Sequence, residues 1–251
     1  MSFDAPALEA DVRWLAEQCP GRNLMWPSVL EAAAVWTEAR LASMGYDVLR
    51  EPFEVAGKPC RNLVAELPGT ERPEQRFVVG AHYDTVGICP GADDNATGVA
   101  ALLALAAWFL ERPLPVTLRL VAFVNEEPPN FHSAGMGSLV HARRVRAEGL
   151  PLLGMWSLDS LGYYRGEPFS QRYPGPARLN PLYLALPSRG NFIAFVGNRA
   201  SAALVRTATT AFRAASAVPV RSLVARERVP GIGYSDHWSF WQVGCPALMV
   251  T

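Results

Sequence analysis

The run Val78-Val79-Gly80-Ala81-His82-Tyr83-Asp84 is apolar and ends in a histidine and a carboxylate. Alternate residues of a strand point the same way, so His82 and Asp84 share a face. A carboxylate beside an imidazole can accept its second ring proton, fix the tautomer and make the other nitrogen a better metal ligand. Taken alone, the triplet fits a polar strand end at the surface equally well.

A second acidic group follows in Gly91-Ala92-Asp93-Asp94-Asn95-Ala96-Thr97-Gly98, at the mouth of an apolar helical stretch over 99–110. Capping and the helix dipole account for one of Asp93, Asp94 and Asn95. They do not account for Glu126-Glu127 beyond the strand-like run 118–124, nor for Asp159 at the end of 152–158. Three apolar runs thus each lead into acidic residues. In open α/β sheets the ligand site lies outside the carboxyl ends of the strands. Carboxylates gathered there repel one another unless a cation holds them. The chemistry these residues imply is a metal site.

The elements that must position them read as α/β. Helical spacing over 5–18 and 28–44 turns Trp14, Leu15, Val35, Trp36 and Leu41 inward, with Ser28 as N-cap and Gly45 as the stop. Strands over 46–54 and 62–67 flank the turn Ala56-Gly57-Lys58, and 68–73 is a polar turn. Arg112-Pro113-Leu114-Pro115 ends the apolar helix. The loop 128–138 precedes a helix over 139–148 whose Arg143, Arg144 and Arg146 form a solvated face. Residues 162–185 have no periodicity and read as a long loop over the site. Its Tyr163, Tyr164 and Tyr173 either meet substrate or pin the loop. A strand over 191–196, a helix over 201–215, a strand over 218–224 and a buried strand over 246–251 complete the chain. The expected fold is one α/β domain over 1–251, with a mostly parallel, mixed sheet flanked by helices on both faces.

The 251 residues can bury a sizeable core, and 23 basic residues balance 23 acidic ones, which argues against a nucleic acid or an anionic membrane as partner. The longest apolar run is too short to span a bilayer and no leader pattern is evident. The four scattered cysteines, Cys19, Cys60, Cys89 and Cys245, contain no CxxC pair and suit free thiols in a reducing, cytoplasmic setting. Cys89 is expected to pack its loop.

The order His82-x-Asp84, Gly91-Ala92-Asp93-Asp94-Asn95-Ala96-Thr97-Gly98, Phe123-Val124-Asn125-Glu126-Glu127, Asp159 and Ser235-Asp236-His237 resembles the zinc aminopeptidase family of co-catalytic exopeptidases. Glutamate carboxypeptidases, glutaminyl cyclases and the non-catalytic transferrin receptors are relatives in that family. Five spaced motifs in order, from about Ala32 to the last residue, make the resemblance specific.

It implies two zinc ions, with Asp94 bridging them, His82 and Asp159 completing one and Glu127 serving the other. Glu126 would be the general base that takes the proton of the attacking water, and Asp84 would orient His82. Asp236 and His237 would line the site wall, with His237 alternatively a hydrogen-bonded structural histidine. The substrate would be a peptide or an amino-acyl small molecule.

The family's last zinc ligand is a histidine beyond the strand that here ends the chain. This sequence ends at Thr251 without it, and His132 and His141 are the remaining imidazoles. His132, in the long loop near Glu127, is a weak substitute, since loop histidines usually face water. The chain is therefore expected to be C-terminally short of its family, to expose an apolar patch that favours association with another copy, and to keep the His82/Asp94/Asp159 ion better than the second. An inactive peptidase-fold protein and a glutaminyl-cyclase-like acyltransferase are the alternatives. His82 counts against the second, because those cyclases typically lack that ligand.

Overall fold

The computed structural model describes residues 4–173 and 186–251, so the part of the expected loop over 174–185 lies outside the described residues. The chain runs α1 (Ala5–Gln18), α2 (Pro27–Ser43), β1 (Leu49–Val55), β2 (Lys58–Leu67), β3 (Arg72–His82), α3 (Gly98–Leu110), β4 (Val116–Phe123), α4 (Gly137–Ala147), β5 (Leu152–Leu158), β6 (Ile193–Asn198), α5 (Ala202–Ala215), β7 (Val220–Ala225), α6 (His237–Trp241) and β8 (Ala247–Val250).

The strands form an eight-stranded sheet in the order β1-β2-β4-β3-β5-β8-β6-β7. Its centre, β4-β3-β5-β8, is parallel. The β1–β2, β2–β4 and β6–β8 pairs are antiparallel, and β7 runs parallel to β6 at the edge. The carboxyl ends of β3, β4, β5 and β8 therefore share one edge of the sheet.

Strand periodicity sends alternate residues to two cores. Leu63, Ala65, Val79, Ala81, Leu120 and Leu248 face α1, α2, α3 and α5 through Leu15, Leu41, Leu102 and Val205. Val64, Val78, Val121, Phe123, Met155 and Met249 face α4 and α6 through Ala142, Phe240 and Trp241. Cover on both faces is why the central strands are apolar at nearly every position.

Several local expectations shift. Pro27 opens α2 and Trp26 holds the cap position without a side-chain bond, so Ser28 is not the N-cap. Proline suits the first turn, where its missing N–H is no loss. Val35 points to solvent at 50% exposure. Trp14 and Trp36 are half-buried and stack on each other at 4.6 Å. Strand β3 begins at Arg72, within the expected turn over 68–73. Arg144 is not wholly solvated, since its guanidinium lies 3.3 Å from the buried carboxylate of Glu51. The final strand lies inside the sheet between β5 and β6, with Met249 and Val250 buried, and Leu223 and Val224 of edge strand β7 are exposed.

Candidate metal centre

The carboxyl end of β3 delivers His82, and the chain turns there to bury Tyr83 and Asp84. The Asp84 Oδ1 atom is 3.6 Å from His82 Nδ1. Both Asp84 oxygens also accept main-chain hydrogen bonds, Oδ1 from the amide of Glu126 and Oδ2 from that of Glu127, each at 3.1 Å. One carboxylate thus ties the end of β3 to the loop after β4.

Gly91 enters the second segment in the left-handed region at φ 59, and an added Cβ would meet Thr85 and Arg22. Residues 92–97 form one wide turn rather than a regular helix, with Asp94 and Asn95 in non-helical conformations and a cis peptide bond between them. The capping role falls to Asn95. Its Oδ1 accepts from the Gly98 amide at 3.0 Å and from the Ser160 amide at 3.3 Å, while its Nδ2 donates to Leu158 O at 2.9 Å. Asp93 accepts from the Gly162 amide at 2.8 Å. The side chain freed to point into the cleft is Asp94, 54% exposed.

Around the His82 Nε2 atom stand Asp94 Oδ1 at 3.2 Å, Asp159 Oδ2 at 3.8 Å and Glu126 Oε2 at 3.9 Å. His82, Asp94 and Asp159 each offer a ligand atom within 4.8 Å of the others. Ligands of a tetrahedral zinc at about 2.0–2.1 Å stand roughly 3.3 Å from one another. Both ring nitrogens of His82, though buried, make no well-aligned hydrogen bond. A buried imidazole so placed among carboxylates fits a divalent metal, and the donor types are those zinc takes.

Electrostatics agree. Burial pushes Glu126 well above the ordinary carboxylate range; His82 opposes this, while Asp236, Asp159 and Asp84 add to it. Burial likewise lifts Glu127 to about 7, with the charges of Asp94, Asp84 and Asp159 adding to the rise. For His82 burial alone would lower the pKa, but the carboxylates, Glu126 foremost, outweigh it and hold it well above the usual value. Burial works against Asp159 too, yet the facing His82 ring and its charge, with the hydroxyls of Ser235 and Ser160, keep its carboxyl low. A single imidazolium serves several crowded carboxylates, the arrangement a dication relieves.

The other histidines stand apart from this cluster. His237 and Asp236, expected on the site wall, are fully buried and do not line the cleft. His237 bonds through Nε2 to Ile232 O at 2.7 Å, and burial lowers its pKa to about 4. Asp236 is buried without a well-placed hydrogen-bond partner, and burial lifts it to about 7. His132 is sandwiched between Phe131 and Trp238 at 3.9 and 4.0 Å, with Nε2 2.8 Å from Gly233 O. His141 faces Glu51 at 3.1 Å. Among the described residues, therefore, no histidine joins Asp94 and Glu127.

The four carboxylates Asp94, Glu126, Glu127 and Asp159 open into a cleft of about 990 Å³. Phe131, Phe192, Leu223, Val229, Tyr234 and Met249 give it an apolar wall, and Arg172 and Arg221 also line it. Tyr173 lines it too and donates to Pro187 O at 2.8 Å. Tyr163 lines a neighbouring cleft of about 740 Å³ with Asp93 and Ser160, while Tyr164 is exposed and lines neither. The Cys89 side chain is exposed, and its carbonyl accepts from the Gly21 amide at 2.9 Å. Asn95, offered by sequence as a cap, also links Asp94 to the end of β5, whereas the fully buried Arg22 behind these loops is not evident from sequence pattern.

A mixed α/β sheet that gathers a histidine and carboxylates at the ends of its parallel strands has the architecture of a metal-dependent peptidase. The chain belongs to peptidase family M28, whose model matches residues 62–251. It is 37% identical over 253 residues to the uncharacterized protein YfbL of Escherichia coli (strain K12), covering 97% of this chain and 75% of that one. The crystal structure of the LapA aminopeptidase of Legionella pneumophila superposes with a TM-score of 0.74 at 16% identity, over 99% of this chain and 61% of that one. BSAP, a zinc aminopeptidase from Bacillus subtilis, gives 0.75 at 12% identity, over 99% and 85%. At these identities the structural likeness is one of fold, and the chain spans about three-fifths of the LapA length. Among the described residues no helix is long and apolar enough to cross a membrane.

Proposed function

We propose that this chain is the catalytic part of a zinc exopeptidase that removes residues from the amino terminus of peptides or hydrolyses small amino-acyl compounds. The observation that carries this reading is the buried His82 standing 3.2 to 3.9 Å from three carboxylates of three separate segments, and those carboxylates line a cleft with an apolar wall.

His82, Asp94 and Asp159 would hold one zinc ion, and Asp94 with Glu127 would offer a second, weaker site. When bound, zinc polarises a carbonyl and lowers the pKa of water to about 7. Glu126 serves as general base: its burial raises its affinity for a proton, which it takes from the attacking water and passes to the leaving amine. Asp84 holds His82 in place and fixes the backbone on which Glu126 sits. The carboxylate-rich floor favours a positive substrate group such as a free α-amino group over a free α-carboxylate. The apolar wall takes the adjoining side chain and excludes water. Four free cysteines, three of them buried, support a reducing compartment such as the cytoplasm.

Glu126→Ala tests the reading. Hydrolysis of an amino-acyl anilide falls at least about 100-fold while bound zinc is unchanged. Turnover at the native rate in that variant contradicts the assignment. Acetylating the substrate's amino group lowers kcat/KM by about tenfold or more, and no loss contradicts amino-terminal action.

A further inference from the structure

Arg22 is 0% exposed and makes no ion pair among the described residues. Its acceptors are main-chain carbonyls. Nε donates to Tyr83 O at 2.7 Å, Nη1 to Pro90 O at 2.7 Å and Nη2 to Gly91 O at 2.7 Å, with longer bonds from Nη1 to Leu15 O and Cys19 O at 3.3 and 3.4 Å. Tyr83 lies between His82 and Asp84, and Gly91 opens the turn that presents Asp94. One guanidinium therefore joins the two segments whose side chains meet at 3.2 Å in the metal centre.

The neighbours extend this clamp. Gly21 donates to Cys89 O at 2.9 Å, and Thr85 donates to Arg22 O at 3.1 Å. Asn23 Nδ2 donates to Thr85 O at 2.9 Å and Gly87 O at 2.6 Å. Residues 21–23 thus brace the loop 83–91 from its inner side, and they lie outside the 62–251 match. Burying a guanidinium without a carboxylate partner is costly, and packing α1 against the core needs no charge. A rigid fork that reaches carbonyls in two directions explains the choice of arginine, because an ammonium is a single point of donation.

We propose that Arg22 is a positioning residue of the metal centre, setting the spacing between the His82 end of β3 and the Asp94 turn through its fork of donors. The inference rests on the zinc reading above. In chelator competition with zinc alone, Arg22→Lys raises the zinc dissociation constant about 10- to 100-fold, as loss of an outer support does. Leu41→Ala hollows the packing of α2, where no partner of Arg22 lies, so it lowers Tm and leaves zinc affinity within about twofold. If Arg22→Lys does not fold, Asn23→Ala reports instead, with an expected weakening of about three- to tenfold. Native affinity in the folded arginine variant overturns the proposal, as does native affinity in Asn23→Ala where that variant reports. An equal loss of affinity in Leu41→Ala also overturns it, because the effect would then be general destabilisation. A native chain that binds no zinc fails the functional reading itself, and the inference with it.

Discussion

The carboxylate of Asp84 accepts the amide of Glu126 at 3.1 Å while lying 3.6 Å from the ring of His82. Its other oxygen accepts the amide of Glu127. His82, the proposed metal ligand, and Glu126, the proposed general base, are thereby referenced to one buried anion. Asp84→Asn retains the shape but replaces one acceptor oxygen with a donor, leaving one of the two amides unpaired. Zinc affinity in a chelator titration falls about 10- to 100-fold, and urea denaturation shows a loss of about 1–3 kcal/mol. Unchanged zinc affinity means Asp84 does not orient the ligand.

Gly98 packs where a Cβ would collide with the Asn95 side chain and the Leu158 carbonyl. Gly98→Ala therefore pushes on the residue that holds Asp94 to the end of β5. The expected cost is about 1–3 kcal/mol of stability, together with weaker zinc binding. A variant as stable as the native chain in thermal unfolding shows that the turn can yield, contrary to the packing described.

His237 makes stability depend on pH. Its folded pKa, about 4, lies below the ordinary 6.5 because of burial. Between those values the unfolded chain binds a proton that the folded chain does not, so stability falls as pH drops from 6.5 toward 4. The span of about 2.5 units amounts to about 3 kcal/mol. Urea unfolding of the metal-free protein at pH 7 and pH 4.5 measures the slope. In His237→Gln that slope flattens, even if the variant is less stable at both pH values, and an unchanged slope assigns the acid sensitivity to other groups.

The cleft wall predicts preference. Phe131 lies edge-on to Tyr234 at 6.1 Å, and the stacking of His132 between Phe131 and Trp238 fixes its loop. Phe131→Ala lowers kcat/KM for a leucyl or phenylalanyl substrate about tenfold or more and that for an alanyl substrate less, since apolar contact contributes about 1–3 kcal/mol. Equal losses on all three place the substrate side chain elsewhere.

That the side chains of the candidate site meet was legible because the histidine, the glutamate pair and Asp159 each follow an apolar strand, a pattern local enough to read. His82, the Glu126-Glu127 pair and Asp159 stand at the carboxyl ends of adjacent parallel strands for that reason. Asp94 was legible as part of an acidic turn, but the separation of its role from Asn95 depends on backbone angles that no pattern encodes. Arg22 was not legible, because the acceptors of its three shortest bonds, Tyr83, Pro90 and Gly91, are carbonyls 61 to 69 residues away. His237 shared a motif with Asp236 near the site, yet the short helix α6 turns it toward Ile232 O. Ser28 fits a cap pattern one residue after the proline that actually begins α2. Local rules fail there because the competing partner is a neighbour with its own strong preference.

The most direct measurement is zinc per folded chain, by elemental analysis after exposure to excess zinc and removal of loosely held ion, in the native protein and in His82→Ala. The native chain is expected to retain at least one zinc, and the His82→Ala variant to lose it. A native chain that retains none, or a His82→Ala variant that retains the same amount, contradicts the metal centre on which the proposed activity depends.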